Sequence, residues 1–103
     1  MAPADHRAWW ASLTEQQRRE HNLKSALGTF KTNLGEIESV YNHHGLSAGM
    51  TLQLTARLNE ALLLMEAGAG NFSLHLFRDV RATRERVTRL RLRAESDRRP
   101  VLS

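Results

Sequence analysis

A row of apolar residues between positions 23 and 41 constrains the fold of this chain more than any other feature. The row consists of Leu23, Leu27, Phe30, Leu34, Ile37 and Tyr41. Its spacing alternates between four and three residues, which is typical of an amphipathic α-helix that buries one narrow face against other helices. The chain has no proline between Pro3 and Pro100, so proline interrupts no interior helix. The sequence therefore predicts a chain built from helices.

The first long helix is predicted over residues 15–43, and two N-terminal caps compete for its start. A Ser or Thr followed three residues later by Glu or Gln forms a capping box, in which both side chains satisfy free backbone amides. Ser12 with Glu15 fits this pattern, and so does Thr14 with Gln17. The two registers differ by two residues, and both remain open.

Three glycines bear on how this long helix runs and where it ends. Gly45 follows its last turn and can adopt the left-handed conformation that closes a helix. Gly28 and Gly35 lie inside it, each at a cost on the order of 1 kcal/mol relative to alanine. A break at Gly28 or within residues 33–35 is the alternative, which the unbroken phase of the apolar row disfavours.

Two shorter helices are predicted after the loop around Gly45, over residues 48–67 and 72–94. Ser47 precedes the first of them as a candidate N-cap, and Asn71 or Ser73 precedes the second. An apolar four-three repeat continues in the last helix, so all three helices carry a face for a shared core.

The two ends of the chain complete the predicted architecture. Residues 4–13 form a short aromatic helical segment with Trp9 and Trp10, and residues 95–103 form a flexible basic tail. The predicted fold class is all-α. The expected arrangement is an antiparallel three-helix bundle, with residues 1–103 in a single domain.

Positive charge is concentrated at the carboxyl-terminal end. The formal net charge is +4, but residues 1–77 carry six basic and seven acidic side chains, whereas residues 78–103 carry nine and four. Five arginines are expected to project together from the last predicted helix, and we call them the arginine face: Arg78, Arg81, Arg86, Arg89 and Arg93. Such a row attracts a phosphate backbone. The alternative is a solvated face whose arginines pair with Glu85.

A second candidate surface lies on the long helix, where Lys24, Gly28, Lys31 and Gly35 follow one another at steps of four, three and four. We call this set the glycine strip. Glycines at this spacing allow close packing of another helix, which is the favoured interpretation. The alternative is a phosphate backbone that contacts Lys24 and Lys31.

Apolar residues outside the predicted core suggest a protein partner. Leu52, Ala56 and Leu63 form a second stripe on the middle helix, opposite its main apolar face. Trp9 and Trp10 are adjacent, so they point in different directions from a helix. Either one tryptophan packs and the other anchors a partner, or both close the open end of the core.

The sequence offers little for catalysis, and no cofactor or metal is expected. The chain has no cysteine, no serine in a glycine-framed elbow and no glycine-rich phosphate loop. His43 and His44 are adjacent in a turn rather than four apart on a helix, so a helix cap is favoured over a metal site. The chain is therefore expected not to be an enzyme.

These features predict a non-catalytic helical subunit that contacts RNA or single-stranded DNA within a larger nucleoprotein assembly. In size and helical class alone, it is similar to the small helical subunits of bacterial RNA-guided effector complexes. The alternative is a protein-interaction module, such as a phage-type inhibitor, adaptor or assembly subunit, that uses an exposed tryptophan with Leu52 and Leu63. A homo-oligomer is also possible. Binding of anionic lipid is a weaker third option.

The expected compartment is the cytoplasm. The amino terminus begins with polar residues instead of the apolar core of a secretion signal, and the longest apolar run covers residues 61–65. The absence of cysteine fits a reducing compartment. No membrane partner is expected.

Overall fold

A computed structural model describes residues 3–98, and four α-helices account for most of them. The helices are α1 (Pro3–Ser12), α2 (Glu15–Asn42), α3 (Ala48–Ala69) and α4 (Leu74–Arg98). No strand occurs within the described residues. The prediction of an all-α chain is confirmed. The structure has four helices, where a bundle of three with a short aromatic segment is predicted.

Side-chain caps fix where the helices begin. Thr14 Oγ1 accepts the amide of Gln17 at 3.1 Å, and Gln17 Oε1 accepts the amide of Thr14 at 2.8 Å, so the second capping box is the one used. Ser47 Oγ accepts the amide of Met50 at 3.1 Å, which confirms the predicted cap of α3. Ser73 Oγ accepts the amide of Leu76 at 3.0 Å at the start of α4.

The turn after α2 closes the helix differently from the prediction. His44, rather than Gly45, adopts the left-handed conformation, with a φ of 62°. The amide of Gly45 donates to the carbonyl of Val40 at 2.8 Å, and the amide of His44 donates to that of Tyr41 at 3.0 Å. This pair of bonds is a Schellman motif, which satisfies the last carbonyls of the helix. Gly45 is required here for space, because an added Cβ would lie 2.8 Å from Val40 Cγ1.

Helices α2, α3 and α4 share one apolar core. Ion pairs between α2 and α4 indicate the relative directions of these two helices. The buried apolar residues are Leu27, Leu34, Tyr41, Leu58, Leu62, Ala69, Leu76, Val80, Val87, Leu90 and Ala94. Lys31 of α2 pairs with Asp79 of α4, and seven residues further along both helices Glu38 pairs with Arg86. Helices α2 and α4 therefore run in the same direction, and α3 connects them in the opposite direction.

Small side chains allow α3 and α4 to approach each other closely. Thr51 and Thr55 of α3 and Thr83 of α4 are fully or almost fully buried. Each hydroxyl donates to the carbonyl four residues earlier in its own helix, at 2.8–2.9 Å. Their burial therefore leaves no hydroxyl without an acceptor, which would otherwise be destabilising.

Helix α4 continues beyond the predicted boundary at residue 94. It extends to Arg98, so residues 95–98 are helical and not part of a flexible tail. Two contacts order this last turn: Asp97 accepts a hydrogen bond from the Tyr41 hydroxyl, and Glu95 lies 3.7 Å from Arg91. The rest of the predicted tail, residues 99–103, lies outside the described residues.

The glycines inside α2 do not serve close helix packing. A Cβ built on Gly28 or Gly35 meets no atom within 4 Å, and α2 runs past both positions without a break. The prediction that the glycine strip allows close packing of another helix is therefore wrong for the described residues. Neighbouring helices pack against the apolar face of α2 instead.

Replacing Gly28 or Gly35 with alanine should stabilise the protein. Each change adds a methyl group in open space and removes backbone freedom from the unfolded chain, so we expect the free energy of unfolding to rise by about 0.5–1 kcal/mol. Urea unfolding followed by circular dichroism measures it. Gly45→Ala is the matched control and should destabilise, since its Cβ would clash with Val40. Destabilisation by Gly28→Ala or Gly35→Ala would contradict the open geometry.

His44→Gly should also stabilise the protein, because glycine adopts the left-handed conformation without the steric penalty of a Cβ. We expect a gain of roughly 0.5–1 kcal/mol in the free energy of unfolding. The neighbouring change His43→Gly is the control. His43 has an ordinary negative φ and its Nδ1 lies 2.7 Å from the Ser39 carbonyl, so this change should destabilise. Equal effects of the two changes would refute the assignment of His44 as the left-handed residue.

Candidate nucleic-acid interface

Three members of the arginine face point away from the bundle. Arg78, Arg81 and Arg89 are exposed on the side of α4 opposite the buried Val80 and Val87. Among the described residues, none of these three guanidinium groups forms an ion pair. Their charge is therefore available to a partner.

The other two members turn toward α2, so the five arginines do not project together as predicted. Arg86 forms an ion pair with Glu38. Arg93 donates to Asn42 Oδ1 at 2.8 Å, and its guanidinium carbon lies 5.3 Å from the centroid of the Tyr41 ring. Arg93 stays exposed but is held in place, whereas the charge of Arg86 is compensated.

Two further arginines of α4 form ion pairs, one with α3 and one within α4 itself. Arg84 pairs with Glu66 of α3, and both side chains are largely shielded from solvent. Arg91 pairs with Glu95 one turn later on the same helix, at 3.7 Å. The described arginines of α4 are thus divided among structural and exposed positions.

Both lysines of the glycine strip have acidic partners. Lys24 lies 3.3 Å from Glu20 within α2, and Lys31 lies 2.6 Å from Asp79 of α4. The Lys31–Asp79 pair places the strip beside α4, on the side where Arg86 and Arg93 meet α2. The strip therefore offers open backbone at Gly28 and Gly35 but little uncompensated charge.

The two tryptophans pack against the start of α2 and are not part of the core. Trp9 is 42% exposed and Trp10 is half-buried. Their ring centroids lie 5.3 Å and 5.5 Å from that of His21. Arg18 fixes α1 to α2, since its guanidinium donates to the carbonyls of Trp10 and Ala11 at 3.0 Å each.

The second stripe predicted on the middle helix is only partly available to a partner. Leu52 packs against the core, whereas Ala56 is exposed and Leu63 is 44% exposed. The most exposed large apolar residue of this helix is Leu64, at 78%, which lies outside the predicted second stripe. Its exposure follows from the rotation of α3 in the bundle, which the sequence does not specify.

A polar cluster at the end of α2 and α4 was also not predicted. Tyr41 is almost fully buried and donates its hydroxyl hydrogen to Asp97. This hydrogen bond raises the pKa of Tyr41 above its ordinary value, burial and the negative charge of Asp97 act in the same direction, and Arg93 opposes them. The two partners lie 56 residues apart, so no local pattern connects them.

The described residues show neither a metal cluster nor a membrane helix. Among them, His, Asp and Glu do not gather in groups of three that could hold an ion. None of the four helices combines the length and apolar character that crossing a bilayer requires. Comparison of the chain with protein-family models, curated proteins and solved structures gave no match.

The stability of the protein should depend on the ionisation of Tyr41, its single tyrosine. The pKa of Tyr41 is raised in the folded state, so folding disfavours the phenolate. The protonated Tyr41 hydroxyl therefore contributes fully to the free energy of unfolding below the unfolded pKa of about 10. This contribution is lost as the pH rises through the folded pKa. An absorbance titration of the phenolate should give a value above 10.0 for the folded protein. Tyr41→Phe should remove this part of the alkaline loss of stability in urea unfolding.

Asp97→Asn tests the cause of the shift. The variant keeps the size of the side chain but removes the acceptor carboxylate, so the pKa of Tyr41 should fall relative to the wild type. An unchanged pKa would mean that Asp97 is not the main cause, and a wild-type pKa at or below the ordinary value would contradict the hydrogen bond itself.

Proposed function

We propose that this chain is a non-catalytic helical subunit that contacts a nucleic-acid backbone, RNA or single-stranded DNA, within a larger nucleoprotein assembly. The observation that carries the proposal is that Arg78, Arg81 and Arg89 are exposed on one side of α4 and form no ion pair with any described residue. We call these three residues the outward arginines.

The acidic residues of α4 do not cancel the outward arginines. Asp79 pairs with Lys31, Asp97 accepts from Tyr41, and Glu95 pairs with Arg91. Glu85 is the one carboxylate that lies among the outward arginines, and it is exposed. Three positive charges against one negative charge leave this surface attractive to a polyanion.

The spacing of the outward arginines suits contact with successive phosphates. Arg78 and Arg89 are 11 residues apart, which corresponds to about 16 Å along the helix axis. Arg93 lies one turn beyond Arg89 but is turned toward α2, where its contacts with Asn42 and Tyr41 hold the side chain in place. Guanidinium groups bind phosphate oxygens through two parallel hydrogen bonds.

The same surface lacks a platform for bases. Phe77 is the one phenyl ring of α4, and it is half-buried and packs against the core. Base stacking on aromatic rings supplies most sequence-tolerant recognition of unpaired nucleotides. We therefore favour contacts with phosphates over the reading of sequence.

A protein-interaction module is the second candidate. Trp9 and Leu63 are partly exposed, as a partner-binding surface requires, and Leu64 adds to the exposed apolar area. In that case the outward arginines would meet an acidic protein surface. Trp10 is half-buried and Leu52 packs against the core, so these two residues contribute less to such a partner-binding surface.

Neutralising two outward arginines should weaken binding to an oligonucleotide. We expect Arg78→Gln with Arg89→Gln to raise the Kd for RNA or single-stranded DNA of about 20 nucleotides at least tenfold at about 50 mM salt. The slope of log K against log salt should become shallower by about 1.4, because about 0.7 counterions are released per phosphate on a single strand. Fluorescence anisotropy at several salt concentrations measures both quantities.

The matched control removes the same charge elsewhere. Arg7 and Arg19 are exposed and lie outside α4, so Arg7→Gln with Arg19→Gln should change the Kd less than about twofold. Equal losses in both double variants would show a general effect of net charge and would refute a specific arginine surface. Wild-type binding that is absent or insensitive to salt would refute the proposal and favour the protein partner.

A further inference from the structure

The outer side of α3 carries a regular row of exposed residues, which we call the outer seam: Met50, Gln53, Arg57, Glu60, Leu64 and Ala67. The spacing alternates between three and four residues, which is the pattern of a helix that packs against one further helix. All six residues are exposed, whereas Thr51, Thr55 and Leu62 on the opposite side are buried. No described helix of this chain covers the outer seam.

The charges of the outer seam have no partner within the described chain. Helix α3 contains three charged side chains, and Glu66 is already paired with Arg84. The other two, Arg57 and Glu60, form no ion pair with any described residue. They lie next to each other at the middle of the seam.

The outer seams of two copies of α3 have complementary charges when the two helices run antiparallel. If two copies of α3 cross antiparallel about a twofold axis between residues 58 and 59, Arg57 lies opposite Glu60 of the second copy. The same axis places Gln53 opposite Leu64, and Met50 opposite Ala67. Each pairing occurs twice, so two opposite charges meet at the centre and a large side chain meets a small one at the ends. A parallel pair would instead bring like charges together.

We propose that the outer seam binds a second copy of this chain, so that two α3 helices form an antiparallel pair. The charge pattern favours a second copy as the partner. When two copies of the outer seam pack antiparallel, Arg57 of each copy lies opposite Glu60 of the other. The dimer covers Leu64 and Met50, two of the most exposed apolar side chains of the bundle. The interface includes none of the outward arginines, so it does not depend on the proposed contact with nucleic acid.

Charge reversal tests the pairing. The seam has only two large apolar residues per copy, so we expect a weak dimer with a Kd of roughly 1–100 µM in sedimentation experiments from about 5 to 500 µM protein. Arg57→Glu and Glu60→Arg should each raise this Kd at least about tenfold, since like charges then meet at the centre. The double variant should return to within about threefold of the wild type, because the opposite charges meet again.

A matched pair of leucine variants tests the surface. Leu64→Gln should weaken the dimer, whereas Leu92→Gln, which changes an exposed leucine of α4 outside the seam, should leave the Kd unchanged. Circular dichroism verifies that each variant keeps its helical content. A protein that stays monomeric over the whole range, single charge reversals without effect, or a double variant that fails to recover would each overturn the proposal.

Discussion

The close packing of α3 against α4 is the constraint on which the rest of the structure depends. These two helices contact each other more extensively than any other pair, and their buried residues include threonine, valine, alanine and a few leucines. Small residues bring helix axes near each other, and the buried threonines tolerate this because their hydroxyls bond within their own helices. A longer side chain at Thr55 or Thr83 would have to displace a helix, since close-packed interiors have no spare volume. The contact fixes how far α4 is rotated about its axis.

The rotation of α4 assigns different roles to arginines that are chemically identical. Arg84 falls on the side of α3 and pairs with Glu66, while Arg86 falls on the side of α2 and pairs with Glu38. Arg78, Arg81 and Arg89 are directed away from both neighbours and form no ion pair with any described residue. A guanidinium group serves in each position because its fork of donors binds carboxylates and phosphates equally well. The basic end of the sequence is thus partly a means of holding three helices together and partly an exposed surface.

The exposed surfaces lie on different helices and suit different partners. The outward arginines of α4 form a charged surface, as expected for a contact with a polyanion. The outer seam of α3 combines apolar side chains with a central pair of opposite charges, as expected for a helix of the same kind. Because the two surfaces do not overlap, a dimer would present two sets of outward arginines. Two linked sites on one strand bind more tightly than either alone.

The helices, their caps and the core were largely predictable, because these features depend on residues near one another in sequence. The repeat from Leu23 to Tyr41 predicted α2 and its buried face, and Thr14 with Gln17 supplied one of two capping boxes that local sequence allowed. The end of α4 was missed, because the last turn is held by Asp97 through a contact with Tyr41 across the bundle. The left-handed residue was also missed, since glycine is the usual choice and His44 takes that conformation here.

The sequence by itself determined an all-helical chain with its basic residues gathered at one end, because apolar period, caps and charge are local properties. Only the tertiary structure decided which arginines are free, that Gly28 and Gly35 face open space, and that Leu64 is exposed whereas Leu52 is packed. Each of these depends on the rotation of a helix about its axis. That rotation is set by contacts between residues tens of positions apart in the sequence. A periodic pattern of apolar residues predicts that one face of a helix is buried, but it does not show which helices lie beside that face.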